Sequence, residues 1–249
     1  MNLKVSIITI TFNAEKTIEN TIQSVITQTY KNIEYIVIDG KSTDNTLNII
    51  NKYSHQISKI ISEKDNGLYD AINKGINLAT GDVIALIHAD DFYINNNIIS
   101  NYVEKFNQTN VDAVYANLYY VNANDTSKII RKWNSGNYKS NLFKWGWMPP
   151  HPTVVIKKKC YTQFGNYKLN YKTAADYECM LRLIHVNKIK LAYLNQFVIK
   201  MRIGGKSNQS LKNRLNANKE DKKAWHENKV KPYFFTLILK PLRKIFQFF

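Results

Sequence analysis

The stretch from Gly81 to Asp91, Gly-Asp-Val-Ile-Ala-Leu-Ile-His-Ala-Asp-Asp, constrains the fold more than any other part of the chain. Val83 to Ile87 is an unbroken apolar run of strand length, which fits a strand covered on both faces in a mostly parallel sheet. The run ends at Asp90 and Asp91. Carboxylates side by side at the C-terminal end of a buried strand repel each other and lose hydration, so a cation or a hydrogen-bond network must hold them there. That edge is where open α/β sheets bind ligands. Aspartate is also a favoured turn and N-cap residue, so this stretch by itself leaves metal ligation and turn capping both open.

Upstream, strand and helix signals alternate. Lys4 to Thr11 reads as a first strand, and Ile18, Ile22, Val25 and Ile26 follow at helical spacing. Ile33 to Asp39 is a second strand, and Ser42, Thr43 and Asp44 offer a helix start before Leu47, Ile50 and Tyr53. Ile57 to Ser62 is a third strand, and Leu68, Ile72, Ile76 and Ala79 mark one helix face. The pattern βαβαβαβ predicts an α/β fold: an open, mostly parallel, doubly wound sheet with helices on both faces. With 249 residues the chain can form one large core or a core with an appendage. A dinucleotide-binding domain is excluded, because Thr11-Phe12-Asn13-Ala14-Glu15 has no glycine to admit a pyrophosphate. The strand ends are polar instead: Thr11 and Asn13, then Asp39, then Glu63 and Asp65, then Asp90 and Asp91.

Charge narrows the partners. The net charge is +16, and from Lys200 to Phe249 thirteen Lys or Arg face three Asp or Glu. Most of these cations are Lys, whereas base-edge and bidentate phosphate recognition favour Arg, so the reading is an anionic surface and no nucleic acid. Leu211 to Trp225 is a polar, basic helix candidate. Tyr233 to Phe249 is rich in Phe, Leu and Ile but broken by Lys240-Pro241 and Arg243-Lys244, too interrupted to span a bilayer. It fits an amphipathic segment lying on an anionic membrane. The competing arrangement packs it on the catalytic domain or on another subunit of a homo-oligomer. Cys160 and Cys179 lack C-x-x-C spacing, which supports neither a disulfide framework nor a cysteine zinc site. Val5 to Ile10 runs straight into polar Thr11 and Asn13 without the pattern of a signal segment, so a cytoplasmic protein, peripheral at the inner face of the cell membrane, is expected.

Three blocks, Val5 to Asn13, Tyr35 to Asp44 and Ala89-Asp90-Asp91, resemble those of bacterial family 2 glycosyltransferases with the GT-A fold. Glu63 to Gly75 (EKDNGLYDAINKG) and the order of the blocks strengthen the match, which covers about residues 3 to 210. The resemblance implies inverting transfer of a hexosyl or N-acetylhexosaminyl group from a nucleotide-diphosphate sugar, foremost a UDP-sugar. The implied acceptor is lipid-linked or a growing surface polysaccharide. It places Thr11 and Glu15 near the base, Asp39 on the base or ribose, and Asp65 beside the nucleotide, with Asn13, Asn73 and His88 among the nucleotide-sugar-binding residues. Ala89 lies in the donor site, and Asp90 and Asp91 present manganese or magnesium to the diphosphate. His88 stands where an acid or Asn is usual, and Ile72 where many relatives carry Arg. The implied division is a glycosyltransferase domain over 1–208, its nucleotide-sugar half about 1–117 and acceptor half about 118–208, then a basic tail over 209–249.

Past Asp91 the alternation breaks down. Ile98, Ile99, Tyr102, Val103 and Phe106 suggest a helix, and Ala113 to Ala116 a short strand. Leu118 to Val121 and Ile129 to Trp133 form the arms of a hairpin around Asn124-Asp125. Trp145, Trp147, Met148, Pro149, Pro150 and His151 make an aromatic, proline-broken loop that either stacks on sugar or fills the core. Thr173 to Glu178 resembles the block that carries the family's general base, with Asp176 as candidate. Thr173 and Asp176 also fit a capping box. His151 resembles a position near the donor diphosphate or the acceptor, with an ordinary loop histidine as the rival reading, and Arg202 to Ser207 (RIGGKS) is expected to close over the diphosphate through Arg202 and Lys206. A nucleotide-sugar or polyanion-binding protein without turnover is the alternative class. A requirement for both Asp90 and Asp176 separates the two.

Overall fold

The computed structural model describes residues 2–204, 211–244 and 247, with the backbone alone over 211–216. Strands β1 (Val5–Thr11), β2 (Ile33–Asp39), β3 (Lys59–Ser62) and β4 (Val83–His88) are parallel and lie in the order β3-β2-β1-β4. Helices α1 (Ile18–Ile26), α2 (Thr46–Lys52) and α3 (Leu68–Leu78) connect them. The apolar strands are buried on both faces because alternate side chains enter different cores. Val5, Ile7 and Val83 join one core with Ile22 of α1 and Ile50 of α2. Ile8, Ile10 and Leu86 join the other with Ile72 and Ile76 of α3. Gly75 brings α3 against β1, since a Cβ there would overlap the Ile8 side chain.

The sheet continues with β5 (Asp91–Tyr93), β6 (Ala113–Val121), β7 (Ile129–Trp133), β8 (Val155–Lys157) and β9 (Leu191–Arg202). Beyond β4 the order is β8-β6-β9-β5, with β7 paired to β6. β8, β5 and β7 are antiparallel to their neighbours, and β6 and β9 are parallel. Helix α4 (Ile98–Thr109) buries the five apolar residues that its spacing marks. The sheet is therefore α/β and mostly parallel, as its first half predicts.

Two sequence expectations change. The third strand begins at Lys59, because Ser54–Gln56 forms a 3-10 turn and Ile57 is its cap. The short strand and the first hairpin arm are one continuous β6. Asn117, the polar residue between them, is buried within it because its Oδ1 accepts from Ser135 N and the Tyr193 hydroxyl at 2.8 Å each. A satisfied amide does not end a strand.

Helices α5 (Lys158–Phe164) and α6 (Ala175–Met180), with a π-helical continuation over Leu181–Val186, cover one face. The tail folds back onto them. In α7 (Leu211–Glu227), Ala224 and Trp225 are buried in the same core as Tyr177 and Met180. After it comes α8 (Thr236–Leu242); Ile238 and Leu242 in it and Phe234 just before it are 60%, 46% and 93% exposed. Among the described residues no helix is long and apolar enough to cross a membrane. The capping box at Thr173 does not form: its hydroxyl donates to Glu220 of α7.

Candidate active site

Register puts the strand tips in a row. Thr11 is opposite Asp39, Asp39 opposite Ser62, and His88 opposite Ile10. The chain moves outward from β1 to β3 and then returns to the other side of β1 as β4. The β1/β4 gap is thus a topological switch point, where such sheets form a ligand crevice.

On the β1–β3 side most sequence-singled residues bind each other. The Asp39 carboxylate is fully buried and accepts from the Ser42 hydroxyl and backbone and, at 2.6 Å, from the Ser62 hydroxyl. Asn13 adopts a left-handed φ of 50° and its Oδ1 accepts from Thr43 N at 2.8 Å. Glu15 accepts from Asn45 N at 3.0 Å, so the loops after β1 and β2 clasp. The Thr11 hydroxyl is buried with no hydrogen-bond partner among the described residues. Asp65 pairs with Lys74 at 2.5 Å, and Lys74 also reaches Glu63 at 2.8 Å. Asp70 accepts from Asn66 N at the head of α3. Both amide atoms of Asn73 bind the Tyr167 backbone, at 2.8 and 3.0 Å, tying α3 to the loop before α6.

At the β4 tip Asp90 is partly exposed, and Arg202 donates to its carbonyl at 2.7 Å and to Asn20 at 3.0 Å. Ala89 is buried and held by Ile10 O and the Thr21 hydroxyl. Asp91 is fully buried, and neither carboxylate oxygen has a hydrogen-bond partner among the described residues. Burial first, then the Asp90 charge, push its pKa well above the carboxylate range, and Arg202 opposes them. Lys206 lies outside the described residues.

Across the crevice, His151 begins a 3-10 turn (His151–Thr153) and its Nδ1 lies 3.2 Å from Asp176 Oδ2 at the start of α6. The His151 and His88 Nε2 atoms are 3.5 Å apart. Burial, then His151, lower the pKa of His88 to about 4, against the pull of Asp90 and Asp176. Burial also lowers that of His151, against Asp176. Both imidazoles are therefore neutral near pH 7, and an ionised Asp176 requires the proton of His151 on Nδ1. The Tyr69 hydroxyl donates to the other Asp176 oxygen at 3.4 Å. Sequence reasoning quotes Tyr69 only as part of a block. Its helical offset from Ile72 and Ile76 places it on the packed face of α3, the available signal. Trp147 is core, whereas Trp145 is 49% exposed and meets Tyr233 and Phe235 from the tail.

Residues 6–165 match the family model described as glycosyl transferase family 2. The chain is 42% identical over 97 residues to the UDP-Glc:alpha-D-GlcNAc-diphosphoundecaprenol beta-1,3-glucosyltransferase WfaP of Escherichia coli, a match spanning 38% of each protein. It is 26% identical over 208 residues to a PGL/p-HBAD biosynthesis glycosyltransferase of Mycobacterium bovis, covering 82% of this chain and 78% of that one. The fold is similar to that of S. aureus TarS 1-349 in complex with UDP-GlcNAc, with a TM-score of 0.69 at 17% identity, over 90% of this chain and 65% of that one. The mannosyltransferase PcManGT from Pyrobaculum calidifontis, in complex with GDP-Man and Mn2+, has a TM-score of 0.66 at 16% identity, over 95% and 68%. The architecture is the GT-A fold, and the chain belongs to glycosyl transferase family 2.

Proposed function

We propose that the protein moves a sugar, with inversion, from a nucleotide-diphosphate donor, UDP-linked, to a hydroxyl of a lipid-linked glycan. The observation that carries this reading is the convergence of the β4 tip and α6 on one pair of histidines: His151 binds Asp176, and His88 feels both Asp90 and Asp176. A donor-side carboxylate and a base candidate thus share one crevice, as a single displacement at the anomeric carbon requires. The donor half, about 1–117, supplies the strand tips; the acceptor half, about 118–208, supplies His151 and Asp176.

The acidic pair suits a divalent cation. Among the described residues no group of three or more His, Cys, Asp or Glu forms a closed metal cage. The orphaned buried oxygens of Asp91 and the carboxylate of its neighbour Asp90 are hard donors, the chemistry that would hold magnesium or manganese. When bound, such an ion offsets the charge that develops on the leaving diphosphate. Asp176 accepts the acceptor hydroxyl proton on a carboxylate oxygen as the hydroxyl oxygen bonds the anomeric carbon and the bond to the diphosphate breaks. His151 holds the other carboxylate oxygen through Nδ1–H, which fixes the orientation of the base. Support for a lipid-linked acceptor comes from WfaP, whose name specifies a diphosphoundecaprenol substrate.

Asp176→Asn is expected to lower kcat for transfer by roughly 10²–10⁴-fold, the contribution of a positioned general base, while donor binding persists. Transfer at the wild-type rate by the Asn variant would reject Asp176 as the base.

A further inference from the structure

The turn that carries Asp176 is held from the tail. The backbone N–H groups of Lys172, Thr173 and Ala174 donate to the Glu220 carboxylate at 2.8, 2.8 and 2.9 Å, and the Thr173 hydroxyl joins them at 2.9 Å. Burial raises the pKa of Glu220, but these donors outweigh it and hold the carboxyl below its ordinary range. Tyr177, next to the candidate base, receives Trp225 Nε1 at 2.8 Å and lies 3.7 Å below the Lys240 ammonium. Lys240 in turn pairs at 2.6 Å with Asp221, which is 2% exposed. Glu178 accepts from Asn228 at 3.1 Å. The residues flanking Asp176 on both sides are thus anchored to α7 and the segments after it.

We infer that Glu220 is a positioning residue for sugar transfer: it fixes the turn that aims Asp176 at the acceptor hydroxyl. The inference rests on Asp176 being the base. Oε1 of Glu220 takes Lys172 N and Oε2 takes the other three donors, so both oxygens are needed as acceptors. Glutamine has nearly the same shape but turns an NH2 group against an N–H donor, which opens the clamp on one side. Freed of it, the turn can drift, and a misplacement of about 1 Å at a reacting group costs on the order of 10²-fold in rate.

The test uses the full chain with Glu220→Gln, Asp176→Asn and the double variant, measuring transfer kcat, UDP binding by calorimetry and thermal melting. Glu220→Gln is expected to lower kcat about tenfold or more with UDP affinity within about twofold, since only the acceptor side loses alignment. In the Asp176→Asn background the same change is expected to leave kcat where it was, the signature of two residues acting as one unit. Glu220→Asp, which keeps both acceptors, is expected to recover part of the rate, and it carries the same comparison should the Gln variant fail to fold. An unchanged kcat in Glu220→Gln, or an equal proportional loss with and without Asp176, overturns the inference and leaves the base assignment standing. A wild-type kcat in Asp176→Asn alone overturns both.

Discussion

His151 illustrates what one side chain does in this crevice. It is 22% exposed, its Nδ1 faces Asp176, and its Nε2 faces His88. Asparagine in its place offers an amide N–H near the Nδ1 position, whereas leucine offers none. His151→Asn is therefore expected to keep more transfer activity than His151→Leu, with the Leu variant losing roughly 10–100-fold in kcat, about 1–3 kcal/mol of transition-state stabilisation. Equal rates for the two variants, measured at saturating donor, would remove the hydrogen bond to Asp176 from the account. At this scale much was legible from residue order alone. Asp39, Asp65, Asp90 and Asp91 stand out in the sequence at or just past the ends of apolar runs, and the register places those strand ends on one edge. Their local partners were less legible. Ser62 reaches Asp39 only because β3 pairs with β2, and Glu220 lies 46 positions from the Ala174 N–H it accepts, beyond any local spacing rule.

At the scale of elements, the tail takes the competing arrangement of those its sequence offers, packed on the domain. Its charge marks it as a surface segment, yet Trp225 and Ala224 enter the core, and Thr236 donates to Lys144 O at 2.6 Å. Periodicity misses this because, among the described side chains of α7, only Asp221, Ala224 and Trp225 are buried, which is too short an apolar stripe to read. The seat of α8 depends on Gly146, whose φ is 73° and whose absent Cβ would lie 2.6 Å from Lys240 N. Gly146→Ala adds both left-handed strain and a clash with backbone. It is expected to destabilise α8 docking by roughly 1–3 kcal/mol and to speed proteolytic cleavage between α7 and α8. An unaltered digestion pattern and melting temperature would mean that α8 does not rest on this turn. The first half was legible for the opposite reason: three strands, β1, β2 and β4, are buried on both faces and give long apolar runs, and the helices between the strands give clear spacing. The split reading of β6 failed at Asn117 because its partners, Ser135 and Tyr193, come from distant parts of the chain.

For the whole molecule, the charge of +16 and the exposed Phe234, Ile238 and Leu242 bear on where the enzyme works. Trp145 packs against Tyr233 and Phe235, Phe235 packs against Phe234, and Lys144 lies 5.1 Å over the Tyr233 ring. We propose that this face contacts an anionic membrane, with rings and aliphatic chains at the headgroup boundary and cations against the lipid phosphates. Phe234→Ser with Ile238→Ser is expected to weaken binding to phosphatidylglycerol vesicles by about 100-fold or more, since two buried apolar side chains contribute roughly 1.5–3 kcal/mol each. Undiminished flotation of the double variant would reject the face. On the function proposed above, the β1/β4 crevice holds a nucleotide sugar through Asp90 and a divalent cation, opposite Asp176. Calorimetric titration of UDP-sugars with and without manganese tests it most directly on the wild type, Asp90→Asn and Asp176→Asn. The account predicts manganese-dependent binding that Asp90→Asn abolishes and Asp176→Asn preserves. Binding that is indifferent to both manganese and Asp90 would contradict it.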